Sequence, residues 1–162
     1  MKILVPVDGS LASFNAAKKS VEIAKAYGFT LKLITVVNHE KISRLRRNQR
    51  LWHQVDGSIL NGTREVFGDD KISDSLKDVG EELLDSIIND LDICDMKPEK
   101  EVLLGEPYQI ILDTAKEEKA DLIVMGNRGF SKIKRFFVGS VAQRVISEAT
   151  CPVLVIHTEA ED

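Results

Sequence analysis

Asp121-Leu122-Ile123-Val124-Met125-Gly126-Asn127-Arg128-Gly129-Phe130-Ser131-Lys132-Ile133-Lys134-Arg135-Phe136-Phe137-Val138-Gly139-Ser140-Val141 decides how the rest of the chain is read. Residues 122–125 are continuously apolar and rich in branched side chains, the pattern of a strand covered on both faces. The run ends on glycine. A stretch with Arg128, Lys132, Lys134 and Arg135 and no acid follows. After Gly139 the apolar residues Val141, Val145, Ile146 and Ala149 recur at helical spacing, with Ser140 placed to cap the helix. The segment therefore reads as buried strand, basic glycine-bracketed loop, helix.

The same alternation extends in both directions. Residues 3–7, 31–37, 102–104 and 153–156 are further short apolar runs. Between them lie helical stripes. Phe14, Ala17, Val21 and Ala24 form one, stopped by Gly28. Leu76, Val79, Leu83, Ile87 and Leu91 form a second, and Ile110, Ile111, Thr114 and Ala115 a third, opened by Pro107. The order β-α-β-α-β-α-β-α-β predicts an α/β fold with parallel strands and right-handed crossovers. The exception is the long connection over residues 38–75, where Gly57, Gly62 and Gly68 interrupt any period. Within it residues 41–50 carry Lys41, Arg44, Arg46, Arg47 and Arg50 without an acid, a pattern more common on a solvated face than at a partner contact.

With 162 residues the expectation is one domain, residues 1–162, interrupted by a variable insertion at 38–75. The formal net charge of −4 argues against a dedicated nucleic-acid or membrane-surface binder. No run approaches the ~18 apolar residues of a membrane span. Cys94 and Cys151 have no metal or redox spacing, and the expectation is two reduced, buried thiols in a reducing cytoplasm.

Glycines let a backbone approach a ligand, and a helix start offers free N–H groups and a positive dipole end. The loop from Gly126 to Ser140 is therefore a plausible phosphate cradle, or a simple strand-to-loop turn. Neither the Walker A string nor the dinucleotide G-x-G-x-x-G occurs. His39, His53 and His157 have no metal spacing, and each reads as an ordinary surface histidine. Asp113 and Glu117 share a helical face and read as solvated carboxylates. No set of groups for phosphoryl transfer stands out, so a binding protein is favoured over an efficient ATPase, with slow hydrolysis left open.

Gly126-x-x-Gly129, nine residues, then Gly139-Ser140 resembles the nucleotide signature of the universal stress protein (UspA) superfamily. The opening Ile3-Leu4-Val5-Pro6-Val7-Asp8-Gly9-Ser10 and the closing Cys151-Pro152-Val153-Leu154-Val155-Ile156 are similar to the family as well. The resemblance implies an open five-stranded parallel sheet with helices on both faces, binding ATP or another adenine nucleotide, with any Mg²⁺ held by the phosphates. It implies that Gly126, Gly129, Gly139 and Ser140 hold the phosphates and ribose side, with Arg128 and Val141 beside them. Asp8 would face the ribose, or cap the first helix. Val36 would offer backbone groups to the adenine, and Pro6, Val7 and Met125 would line its pocket. It further implies a homodimer through the last strand, residues 153–157, and a nucleotide-dependent switch read by a protein partner. The alternative is a nucleotide-independent dimeric module of the same fold.

Overall fold

The computed structural model describes residues 1–38, 69–127 and 138–157. The apolar runs become β1 (Lys2–Pro6), β2 (Thr30–Val37), β3 (Glu99–Leu104), β4 (Leu122–Gly126) and β5 (Val153–Ile156). The stripes become α1 (Leu11–Tyr27), α2 (Asp69–Asp90), α3 (Pro107–Glu117) and α4 (Ser140–Glu148). All five strands are parallel, in the order β3-β2-β1-β4-β5. The sheet is the open five-stranded one expected.

Each face of the sheet has its own core because neighbouring side chains on a strand point to opposite sides. Ile3, Val5, Leu33 and Val124 pack with Ala16, Ala17, Val21, Leu84 and Ile87 of α1 and α2. Leu4, Ile34, Ile123 and Met125 pack with Ile111, Ala115, Ala142 and Val145 of α3 and α4. Strands covered on both sides cannot alternate apolar with polar, which is why β1 and β4 are continuous apolar runs.

Several boundaries depart from the sequence reading. α2 begins at Asp69, inside the stretch read as irregular to residue 75. Its buried face runs through Gly80, Leu84 and Ile87, with buried Leu91 just past its end, while Val79 is exposed. Gly80 sits where an added Cβ would lie 2.6 Å from Val102 Cγ1, so its missing side chain lets α2 press onto β3. β3 starts three residues before its apolar part, at Glu99, because its charged first half is the exposed end of an edge strand. On α4 the N-cap is Gly139; Ser140 is the first helical residue and caps nothing. Both cysteines are free, but Cys94 is exposed rather than buried; Cys151 is half-buried, and burial pushes its thiol up.

One polar cluster crosses the sheet. Lys32, on β2, has a side chain only 9% exposed and pairs with Glu101 of β3 and with Glu118 beyond α3. Glu118 also pairs with Lys2 at 2.7 Å. Burial pushes the Lys32 ammonium down, and its two carboxylate partners more than reverse this. Hydrogen bonds from Lys2, then Lys32, hold the Glu118 carboxyl at about 2, against an ordinary value of 4.5. A carboxyl depressed in the folded state stabilises above its unfolded pKa, and that contribution disappears as pH falls through the folded value. Thermal melts of the wild type and Glu118→Gln from pH 7 to pH 2 are therefore expected to differ most above about pH 4.5 and to converge near pH 2. A gap that stays constant across the range would show that Glu118 acts through shape alone.

Candidate functional site

Open parallel sheets bind ligands beyond the carboxyl ends of their strands, where the strand order reverses. Here β1 leads outward to β2 and β3 on one side, while β4 and β5 lie on the other. The reversal lies between β1 and β4, which run side by side with Ile3 opposite Leu122 and Leu4 opposite Ile123. The crevice is thus bounded by the turn after Pro6 and the segment after Gly126.

The first wall is Asp8-Gly9-Ser10. Both Asp8 and Ser10 are favoured N-cap types, and Ser10 takes the role: its Oγ accepts from the Ser13 N–H. Asp8 stands two residues earlier and does not cap. Its Oδ1 accepts from the Ser10 N–H at 3.0 Å and from the Ser10 hydroxyl at 2.6 Å. The carboxylate is exposed, so one oxygen is oriented by the turn while the group faces solvent. A groove of about 370 Å³ opens beside this turn between α1 and α2, lined by Gly9, Ser10, Leu11, Phe14, Leu83 and Ile87. This groove is invisible in the sequence, because its two sides are distant in the chain.

The second wall is the end of β4 and the start of α4. Gly126 packs directly on the first turn of α1: an added Cβ would lie 2.6 Å from the carbonyl carbon of Ala12. Asn127 follows, 2% exposed. Its N–H donates to Ile156 O at 2.9 Å, and its carbonyl accepts from Gly139 N–H at 2.7 Å. That last bond fixes the helix start against the sheet. α4 has no side-chain cap, so the N–H groups of Ser140, Val141 and Ala142 have no intrahelical partner. They form the positive end of the helix dipole, a natural anion site.

Pro6, Val7, Val36 and Met125 are placed by the ends of β1, β2 and β4. Val7 N–H donates to Ile34 O at 2.8 Å, and Gly105 N–H to Val37 O at 3.0 Å. In a parallel ladder the backbone groups of alternate residues face opposite neighbours. Val36 therefore turns its N–H and C=O to the β1 side, level with the point where the chain leaves β1 for the Asp8 turn. Pro6 and Val36 are half-buried at this rim. Val7 and Met125 are core residues, 3% and 5% exposed, on opposite faces of the sheet.

The fold thus brings Pro6, Val7, Asp8 and Val36 to one end of the sheet with Met125, Gly126, Gly139, Ser140 and Val141. Arg128 and Gly129 lie outside the described residues, as do His39, His53 and the basic run from Lys41 to Arg50. Sequence reasoning passed over Asn127, whose only signal is its place directly after a buried strand. His157, read as an ordinary surface histidine, is exposed but lies 3.2 Å from Asn127 through its Nδ1. Asp113 and Glu117 are exposed. Among the described residues no three His, Cys, Asp or Glu side chains are grouped to hold a metal, and no helix is long and apolar enough to cross a membrane.

A parallel sheet with an uncapped helix start and an oriented carboxylate at its reversal point defines an α/β protein with a ligand crevice. The chain belongs to the universal stress protein family, whose model matches residues 1–47 and 67–157. It is 36% identical over 155 residues to universal stress protein MJ0531 of Methanocaldococcus jannaschii, covering 96% of this chain and 81% of that one. Its fold matches the solved structure of hypothetical protein MJ0577 with a TM-score of 0.75 at 22% identity, over 99% of this chain and 97% of the other. A universal stress protein in complex with cAMP matches at 0.66 and 24% identity, with 98% of each chain covered. One from Archaeoglobus fulgidus in complex with dAMP matches at 0.55 and 22%, covering 96% and 97%.

Proposed function

We propose that this chain is an ATP-binding universal stress protein that acts as a nucleotide-dependent switch rather than as an efficient enzyme. The observation that carries the reading is the start of α4: bare N–H groups, pinned to the end of β4 through Asn127 and Gly139, across the strand reversal from the Asp8 carboxylate. A nucleotide needs both, an anion site for phosphates and an acceptor for ribose hydroxyls. Structural neighbours in complex with cAMP and dAMP support an adenine nucleotide as the ligand class.

In this reading Gly126, Arg128, Gly129, Gly139, Ser140 and Val141 surround the phosphates. Asp8 accepts from the ribose, and Val36 meets the adenine with its backbone, with Pro6, Val7 and Met125 around it. Mg²⁺ would be held chiefly by the phosphates. Asp8 is the one acid on the β1 and β4 ends among the described residues, which supports binding over hydrolysis. Residues 1–162 form one domain with a variable connection at 38–75, working in the cytoplasm as a homodimer through residues 153–157, with nucleotide changing a surface that a partner protein reads.

Mass spectrometry of ligand released from the denatured protein, beside calorimetric titration with ATP and Mg²⁺, tests this. Co-purified adenine nucleotide, or binding near micromolar concentration (about −8 kcal/mol), supports the switch. Absence of both supports the nucleotide-independent dimer. Asp8→Ala is expected to weaken ATP about tenfold or more, the loss of hydrogen bonds to a charged acceptor, without lowering the melting temperature by more than a few degrees. Unchanged affinity in that variant would move the ribose elsewhere.

A further inference from the structure

The crevice holds one polar group to which the nucleotide reading gives no task. Asn127 is 2% exposed, yet its Oδ1 has no hydrogen-bond partner among the described residues. Its backbone is fully used, the N–H on Ile156 and the carbonyl on Gly139. Its Nδ2 meets Nδ1 of His157, just past β5. A half-satisfied buried amide is costly, and an apolar side chain of similar shape would avoid the cost. Its position beside the bare start of α4 gives a reason to keep it.

We propose that Asn127 is a ligand-contacting residue of the anion site, with its amide orientation set by the tautomer of His157. The proposal rests on the nucleotide reading above. A neutral imidazole carries one N–H and one lone pair. With the lone pair on Nδ1, Asn127 Nδ2 donates to the ring and Oδ1 is left over, which is the arrangement in the structure. With the hydrogen on Nδ1, the ring donates to Oδ1 after a half-turn of the amide. The NH₂ then takes the free side and offers a donor to a phosphate oxygen, beside the N–H groups of Ser140 and Val141. No bond is made or broken except that the ring hydrogen exchanges through water, to which His157 is exposed. A leftover carbonyl oxygen disfavours a phosphate, whereas a leftover amide N–H favours one, so the ligand selects the second orientation.

The full chain, labelled with nitrogen-15 in histidine, is titrated with ATP and Mg²⁺ and separately with adenosine. Long-range proton–nitrogen correlation reads the ring tautomers, and a His157→Gln sample identifies the His157 signals among the three histidines. ATP is expected to move the His157 hydrogen from Nε2 to Nδ1; adenosine, lacking phosphates, is expected to leave it. An unchanged tautomer during saturable ATP binding overturns the proposal and leaves the nucleotide reading intact. No ATP binding by the wild type overturns the reading itself, and this proposal with it. Affinities supply an independent arm. His157→Gln, whose amide donates or accepts, is expected to stay within about threefold of the wild type for ATP, and Asn127→Ala to lose about tenfold or more, with adenosine affinity unchanged in both. Equal losses for ATP and adenosine in Asn127→Ala would show a purely structural role and overturn the proposal. Because His157 is exposed, His157→Phe keeps the test available if Asn127→Ala fails to fold; it is expected to lose ATP affinity selectively.

Discussion

Gly126→Ala is expected to cost about 3 kcal/mol of stability and to lower the melting temperature by roughly 6–12 °C. The added Cβ would lie 2.6 Å from the carbonyl carbon of Ala12, 2.7 Å from its Cβ and 2.8 Å from its oxygen. Two of those three atoms belong to the backbone of the first turn of α1, so no rotamer change relieves the contact. Either α1 lifts from the sheet or β4 bends. Ala12 is itself buried, at 4% exposed. Combining Gly126→Ala with Ala12→Gly removes the side-chain clash and leaves the backbone ones, so partial rescue is expected in a double-mutant cycle. Urea melts of the four proteins check this. A Gly126→Ala protein that melts within a degree of the wild type would show that α1 yields far more easily than its packing implies.

The same contact has a functional consequence. α1 begins at the turn that holds Asp8, and β4 ends one residue before Asn127, which holds the start of α4. Gly126 is where these two walls touch, so a methyl group there separates the Asp8 carboxylate from the proposed anion site. ATP affinity is expected to fall in Gly126→Ala even at temperatures where the protein is folded. The glycine of the signature is thus demanded by packing between α1 and β4 as well as by any approach of phosphate.

The sequence carried the fold where burial was two-sided. β1 and β4 showed as continuous apolar runs because helices cover both of their faces, while β5 showed as one though Leu154 on this edge strand is exposed. It carried less at the edges of that pattern. The first half of β3 is Glu99-Lys100-Glu101, charged because it is an exposed edge, so only the apolar second half announced a strand. The stripe on α2 holds at Leu83, Ile87 and Leu91 and departs at Val79, which is exposed, because the buried position beside it is Gly80, with no side chain to register as apolar. Asp8 and Ser10 are equally good cap types, and only the turn geometry chooses Ser10. The glycines and Asp8 of the crevice were visible as a motif. Asn127 was not: its burial and its bonds to Ile156, His157 and Gly139 come from segments that meet it only in three dimensions.

Leu154→Lys is expected to convert the proposed dimer to a monomer, weakening association more than a hundredfold. The two sheet edges differ in kind. β3 presents Glu99, Lys100 and Glu101 along its first half, a guarded edge. β5 is Val153-Leu154-Val155-Ile156, with no charge in its length and Leu154 36% exposed. Pro152 O accepts from Ile123 and Ile156 O from Asn127, so the even-numbered residues of this strand bond inward to β4. The alternation leaves the N–H and C=O of Val153 and Val155 facing outward. An apolar edge with open backbone groups fits a second copy of itself, through an isologous contact about a two-fold axis. Each partner then buries one Leu154, at about 1.5 kcal/mol or more apiece, and loss of the pair alone is worth about 3 kcal/mol, a factor above a hundred. Two lysines brought together across the axis add repulsion. Val155→Pro removes an outward donor without touching the bonds to β4, and is expected to act in the same direction. Sedimentation equilibrium of the wild type and both variants reads the outcome. A wild type that dimerises while Leu154→Lys remains a dimer would place the contact on another surface. A wild type that is already monomeric would show that the β5 edge is covered by something other than its own copy.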